Sequence, residues 1–176
     1  NLKLVGIHMH IGSQVTDLEV FRRLALRANE LQNRFEDKGI TLQHLNLGGG
    51  LGVDYQRPDR QPIADFKSYF DIFGELLDRR SGQEIFFELG RSIVAQCGSL
   101  ISRVLYVKKG VEKKFLVLDA GMTELIRPAL YQSSHYIQNL TSAKPEKTYD
   151  VVGPICESSD CFAKDVVPAL FFRLLR

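Results

Sequence analysis

The sequence is poor in the features that most quickly assign a class. Cysteine occurs only three times in 176 residues, as Cys97, Cys156 and Cys161. An odd count leaves one unpaired, and the chain is large for a disulfide-stapled scaffold. Cys156 and Cys161 have no second Cys pair or His cluster beside them, which argues against a zinc site. A reducing, cytoplasmic compartment is the expectation. A charge of one sign is lacking too. Lys plus Arg is 23 and Asp plus Glu is 21, a net charge of +2. That balance gives no argument for nucleic acid or an anionic membrane as partner. No apolar run approaches the roughly 20 residues of a membrane span. Internal repeats and low-complexity segments are absent. No methionine begins the chain, and Leu2–Ile7 already reads as a strand, so a segment of a longer polypeptide is expected.

What is present is a globular composition, 44% apolar and 25% charged. It can bury a core and suits one domain, or one domain and a piece of another. The first half alternates strand and helix. Leu4–His10 is short and apolar, as in a buried parallel strand, and Gly12-Ser13-Gln14 follows as a turn. Thr16-x-x-Glu19 has capping-box spacing. Phe21, Leu24, Ala28, Leu31 and Phe35 recur at 3, 4, 3, 4, one face of an amphipathic helix. Lys38-Gly39 predicts its stop. A second strand covers Leu42–Leu47 and ends in Gly48-Gly49-Gly50. Ile63, Phe66, Phe70, Phe73 and Leu77 predict the next helical face. Glu84–Glu88 is a third strand, ending at Gly90-Arg91. This is the rhythm of βαβ units, hence of a parallel sheet or barrel. Beyond a boundary near residues 92–98 the chain becomes β-rich. Gly98–Lys108 and Lys113–Asp119 predict a hairpin, and Val151–Ile155 is a further apolar stretch.

The unusual residues of the first half all fall at the C-terminal ends of predicted strands, where parallel α/β folds bind ligands. They are His10 with Gly12 and Ser13, then Gly48–Gly50, then Glu88 with Gly90 and Arg91. Singly each has a plain alternative: a His at a strand end also serves packing, and three glycines also make a tight turn. Together they share one chemistry. Glycines let backbone N–H groups approach an anion, Ser13 adds a hydroxyl and Arg91 a fixed charge, which describes a phosphate cradle. Glu88 and His10 would face whatever carries the phosphate.

The segments Gly6–Gln14, Gly48–Gly52, Glu88-Leu89-Gly90-Arg91 and Gly153-Pro154-Ile155-Cys156-Glu157-Ser158 resemble, in this order, the pyridoxal-phosphate decarboxylases of the alanine-racemase-like fold type. The resemblance runs from about residue 1 to Asp165. It implies an α/β fold: residues 1–95 as the C-terminal strands and helices of a cofactor-binding (β/α)8 TIM barrel, and 96–176 as part of a β-rich domain. It implies pyridoxal 5'-phosphate as cofactor and a homodimer with shared sites, the Cys156-Glu157 loop of one copy completing the barrel site of the other. It implies that His10 stacks on the pyridine ring, and that Ser13, Gly48, Gly49, Gly50, Gly90 and Arg91 hold the phosphate. Glu88 would pair with the pyridine nitrogen, where racemases of this fold type use an arginine. Cys156 would be the proton donor, although alone it reads as a small buried residue.

Within the family the chain is most similar to the members that decarboxylate meso-2,6-diaminopimelate to L-lysine. Asp119–Met122 and Arg127–Tyr131 resemble their substrate-gripping segment. Arg127 would fork onto a distal carboxylate, as Lys cannot, Tyr131 would add a hydroxyl bond, and Glu157 would take the distal ammonium. Arg91 would also touch a substrate carboxylate. Arg127 alone is equally a solvated charge. The alternatives are a decarboxylase of ornithine, arginine or carboxynorspermidine, or a catalytically dead homologue that only binds partners. The pattern departs from the family in four places, one being that the family's C-terminal aromatic segment, which supplies a tyrosine near the cofactor, has no counterpart. The lysine that anchors the cofactor has no counterpart, so the segment by itself is expected to be inactive. Residues 166–176 read as an aberrant end. Leu89 stands where the family often has Pro.

Overall fold

The computed structural model describes residues 2–141, 147–167 and the backbone of 174–175. The chain divides into two units. The first comprises residues 1–53 and 61–94; the second comprises 54–60 and 95–176. Residues 54–60 thus group with the second unit, which a single cut near 92–98 does not provide for.

The first unit runs β1 (Gly6–His8), α1 (Glu19–Glu36), β2 (His44–Asn46), α2 (Phe66–Leu76), β3 (Glu84–Phe86) and the short α3 (Arg91–Val94). Its three strands form a parallel sheet in chain order, with Gly6, His44 and Glu84 in register. Parallel neighbours need helical crossovers, and α1 and α2 supply them. The core holds Phe21, Ala25, Ala28, Leu45, Leu47 and Tyr69, all fully buried. The Phe21 and Tyr69 rings meet edge to face at 4.8 Å, joining the two helices. Gln83 is buried as well, and its amide donates to Gln32 (2.7 Å) and to the Leu42 carbonyl (2.9 Å).

Several expected details change. Thr16 does not cap α1; the Glu19 amide donates to Asp17 (2.9 Å), and no side chain caps from Leu18. The helix starts at Glu19 with Leu18 in the cap position, two residues past Thr16. In α1, Gln32 is buried where Leu31 and Phe35 are only half-buried. In α2 the buried stripe is Tyr69, Ile72 and Phe73, while Ile63 and Phe70 are exposed. Asp65 starts that helix by accepting from the Ser68 amide (3.0 Å), and Ile63 precedes it. Leu4 and Val5 are exposed rather than buried, and they precede β1, the edge strand of the sheet. The α1 stop holds: Gly39 adopts φ +73° and its N–H donates to the Glu36 carbonyl (2.8 Å).

The second unit holds β4 (Ser99–Leu100), β5 (Val104–Lys109), β6 (Lys114–Leu118), α4 (Arg127–Tyr131), β7 (Tyr149–Val152), β8 (Cys161–Val166) and β9 (Leu174–Leu175). The expected hairpin is β5–β6, antiparallel; its first arm is divided, β4 standing apart. Asp119 marks the division, accepting from the Ser102 hydroxyl (2.6 Å) and the Arg103 amide (2.8 Å). The four-stranded sheet has the order β5-β6-β7-β8, with β6 and β7 parallel. Leu116, Leu118, Val151 and Phe162 build its core with Leu125 and Ile137. β4 pairs with β9 antiparallel. The rest of the 166–176 end, beyond Val167, lies outside the described residues. No described helix is long and apolar enough to cross a membrane.

Candidate active site

In the first unit the chain beyond the three strands stays in register. His8, Asn46 and Phe86 are the last paired positions, and His10, Gly48 and Glu88 come two residues on. The Glu88 amide donates to the Gly48 carbonyl (2.7 Å). The glycines are required here by space. A Cβ on Gly49 would lie 2.1 Å from the Glu88 carbonyl oxygen, and one on Gly48 2.3 Å from that of Met9. Gly50 adopts φ +111°, and its Cβ would lie 2.4 Å from the Gly12 carbonyl oxygen. Gly90 differs: a Cβ there would meet open space.

The side chains around this backbone are also ordered. Arg91 donates through Nη2 to the Ser13 hydroxyl (2.9 Å). The Gly49 N–H points at His10 Nδ1, a long contact of 3.4 Å that makes Nδ1 the acceptor of the ring. Glu88 accepts from Asn46 Nδ2 (2.7 Å) and lies 3.6 Å from His8 Nε2. Asn46 in turn accepts from the Gly48 amide (2.8 Å). The unit therefore gathers His10, Ser13, Gly48, Gly49, Gly50, Glu88 and Arg91 at one end of its sheet. Asn46 and His8 belong to the same cluster and were not singled out from sequence. The two-residue period along the strands was the signal that could have found them.

A phosphorylated pyridine suits this donor set. The glycines let the three strand ends pack backbone to backbone, and the position at Gly90 faces open space. A hydroxyl and a guanidinium stand together where a phosphate needs donors. A carboxylate held by an amide stands on the same strand-end row, where a protonated ring nitrogen would find its acceptor.

In the second unit, Arg127 opens α4. Its guanidinium carbon lies 5.6 Å from the Tyr131 ring centre and 5.8 Å from that of Tyr55. Two aromatic faces thus hold the cation, and among the described residues its Nε has no hydrogen-bond partner. Tyr55 also meets the buried His135 edge to face at 5.1 Å. Tyr55 was missed because it lies 72 positions before Arg127 in the sequence. Cys156 and Glu157 sit exposed on the loop between β7 and β8. The Ser159 amide and the Ser158 hydroxyl hold the Glu157 carboxyl below the usual carboxylate range. It is therefore an anion across ordinary pH. Cys156 and Cys161 are free thiols. Among the described residues no group of three or more His, Cys, Asp or Glu is placed to hold a metal.

The family model described as pyridoxal-dependent decarboxylase, C-terminal sheet domain, matches residues 14–170, which take in parts of both units. A relative from Bacteroides thetaiotaomicron named diaminopimelate decarboxylase is 57% identical over 166 residues, covering 94% of this chain and 43% of the relative. The solved structure of a mutant diaminopimelate decarboxylase from Helicobacter pylori, complexed with L-lysine, is 38% identical. Its TM-score is 0.80, over 97% of this chain and 42% of that one. The diaminopimelate decarboxylase structure from M. jannaschii is 32% identical, with a TM-score of 0.85 over 97% of this chain and 40% of that one. The chain spans about two fifths of the length of the relatives it matches.

Proposed function

The chain belongs to the pyridoxal-dependent decarboxylases, and from that premise we propose that it is the part of a diaminopimelate decarboxylase that carries the phosphate cradle, the proton donor and the substrate grip. The parent reaction is decarboxylation of meso-2,6-diaminopimelate to L-lysine. Residues 1–95 are the C-terminal strands and helices of a (β/α)8 barrel, and 96–176 are part of the β-rich domain. The enzyme acts in the cytoplasm as a homodimer whose sites draw on both copies. The observation that carries this reading is the Arg91–Ser13 pair beside the space-forced glycines at the ends of three consecutive parallel strands.

When bound, pyridoxal phosphate supplies an electron-withdrawing ring that takes up the electron pair left by departing CO2. This chain's residues do the rest. Ser13, Arg91 and the glycine stretches at Gly48–Gly50 and Gly90 would hold the phosphate. His10 would pack against the ring. Glu88, steadied by Asn46, would keep the ring nitrogen protonated. Cys156 delivers a proton to carbon from its thiol. Arg127, held between its two tyrosines, offers a fork to the distal carboxylate and Tyr131 a hydroxyl. The Glu157 anion takes the distal ammonium. Arg91 reaches a substrate carboxylate as well. Ornithine and arginine carry no distal carboxylate and leave Arg127 without its anion.

A chimera tests the reading: residues 1–166 of this chain replace the matching segment of the B. thetaiotaomicron relative. Release of CO2 is measured with diaminopimelate, lysine, ornithine, arginine and carboxynorspermidine. Turnover of diaminopimelate well above the others is expected. A folded, cofactor-loaded chimera that prefers another substrate, or turns over none, would refute the proposal.

A further inference from the structure

Asp160 lies on no motif used above, yet two stretches of the second unit converge on it. Its side chain is 3% exposed. One carboxylate oxygen accepts the Met122 N–H at 2.6 Å and the other accepts the Ile155 N–H at 2.8 Å. Its own backbone closes the loop between β7 and β8. The Asp160 amide donates to the Glu157 carbonyl, and the Gly153 amide donates to the Asp160 carbonyl, both at 3.0 Å. The packing admits nothing larger. A Cβ on Gly153 would lie 2.2 Å from an Asp160 carboxylate oxygen, and one on Gly121 3.1 Å from both.

A carboxylate is costly to bury unless its lone pairs are taken. Here backbone amides from two separate stretches take them. Ile155 immediately precedes Cys156. Met122 lies in the turn in which the Glu124 and Leu125 amides donate to the Gly121 carbonyl. That turn leads directly into α4 and Arg127. One side chain therefore fastens the Cys156-Glu157 loop to the segment bearing Arg127 and Tyr131.

We propose that Asp160 is a positioning residue whose buried carboxylate fixes the Cys156-Glu157 loop against the turn that carries Arg127. Proton donor and substrate grip then keep one spacing. This deepens the reading above and rests on the roles given there to Cys156, Glu157 and Arg127. The fastening itself is independent of those roles.

Amide hydrogen exchange on the full 176-residue chain tests the fastening in the wild type, D160N and G153A. D160N keeps the size of the side chain but replaces one acceptor oxygen with a donor. G153A pushes the carboxylate away without altering it, and serves if D160N does not fold. Exchange at Met122 or Ile155 should quicken about tenfold in D160N, the loss of one hydrogen bond. Both amides should quicken in G153A, while Leu116 and Val151 in the sheet core stay protected. Unchanged exchange at both positions in the variants overturns the proposal whatever the turnover. The same substitutions in the chimera should lower kcat for diaminopimelate about tenfold per folded, cofactor-loaded molecule and reduce its preference over lysine. Turnover that falls only with the folded fraction makes Asp160 merely structural and overturns the positioning role. If Cys156→Ala in the chimera keeps full turnover, the catalytic reading fails while the exchange result stands.

Discussion

The two units build functional geometry by opposite means. In the first, backbone builds it: three strand ends lie so close that Gly48 and Gly49 admit no side chain, and Gly50 adopts a left-handed φ. In the second, side chains build it. Asp160 fastens two loops, and Tyr55 and Tyr131 face the Arg127 guanidinium. A backbone-built site tolerates almost no added atom. A side chain-built site tolerates isosteric change in stability but loses alignment. Substitutions in the two units should therefore fail in different ways.

The largest effect is expected from Cys156→Ala in the chimera. Loss of a positioned proton donor should lower kcat by roughly 10²–10⁴-fold, with KM little changed in steady-state assays. A wild-type kcat would remove Cys156 from the reaction. Gly49→Ala comes next and strikes the fold itself. Its Cβ collides with backbone, which cannot give way as a side chain can, so a loss of about 3 kcal/mol is expected in urea unfolding. An unchanged midpoint would show that the strand ends are not so close. Arg127→Lys should raise KM for diaminopimelate about tenfold, the loss of one bidentate bond, and leave kcat nearly intact.

The smallest effect separates the units once more. Tyr69 is fully buried in the first, and its hydroxyl has no hydrogen-bond partner among the described residues. Tyr69→Phe should therefore stabilise that unit by about 1 kcal/mol near neutral pH. Burial pushes the phenol up to about 12, against roughly 10 in an unfolded chain. Between those values the folded state keeps a proton that the unfolded state has lost. Stability should fall as pH rises through that window, and Tyr69→Phe should remove that part of the fall in unfolding followed by circular dichroism.

The same contrast decides what was legible in the sequence. The strands around Ile7, Leu45 and Ile85 and the Gly39 stop could be read because each leaves a local mark, an apolar run or a glycine after a helix. The glycine run Gly48–Gly50 was readable for the same reason. The α2 face was misread because Asp65 starts the helix beyond Ile63 and turns Tyr69 rather than Phe70 inward. Asp160 and Tyr55 were not legible. Met122 meets Asp160 across 38 positions, so no short spacing announces the contact.

The cradle is the claim on which the account most depends, and the chain can be asked about it directly. Amide shifts of the 176-residue chain would be followed during titration with pyridoxal phosphate and, in parallel, with pyridoxal. The account predicts shifts at Ser13, Gly48, Gly49, Gly50 and Arg91 that saturate with pyridoxal phosphate and stay small with pyridoxal. Equal responses to the two, or shifts that avoid these strand ends, would contradict it.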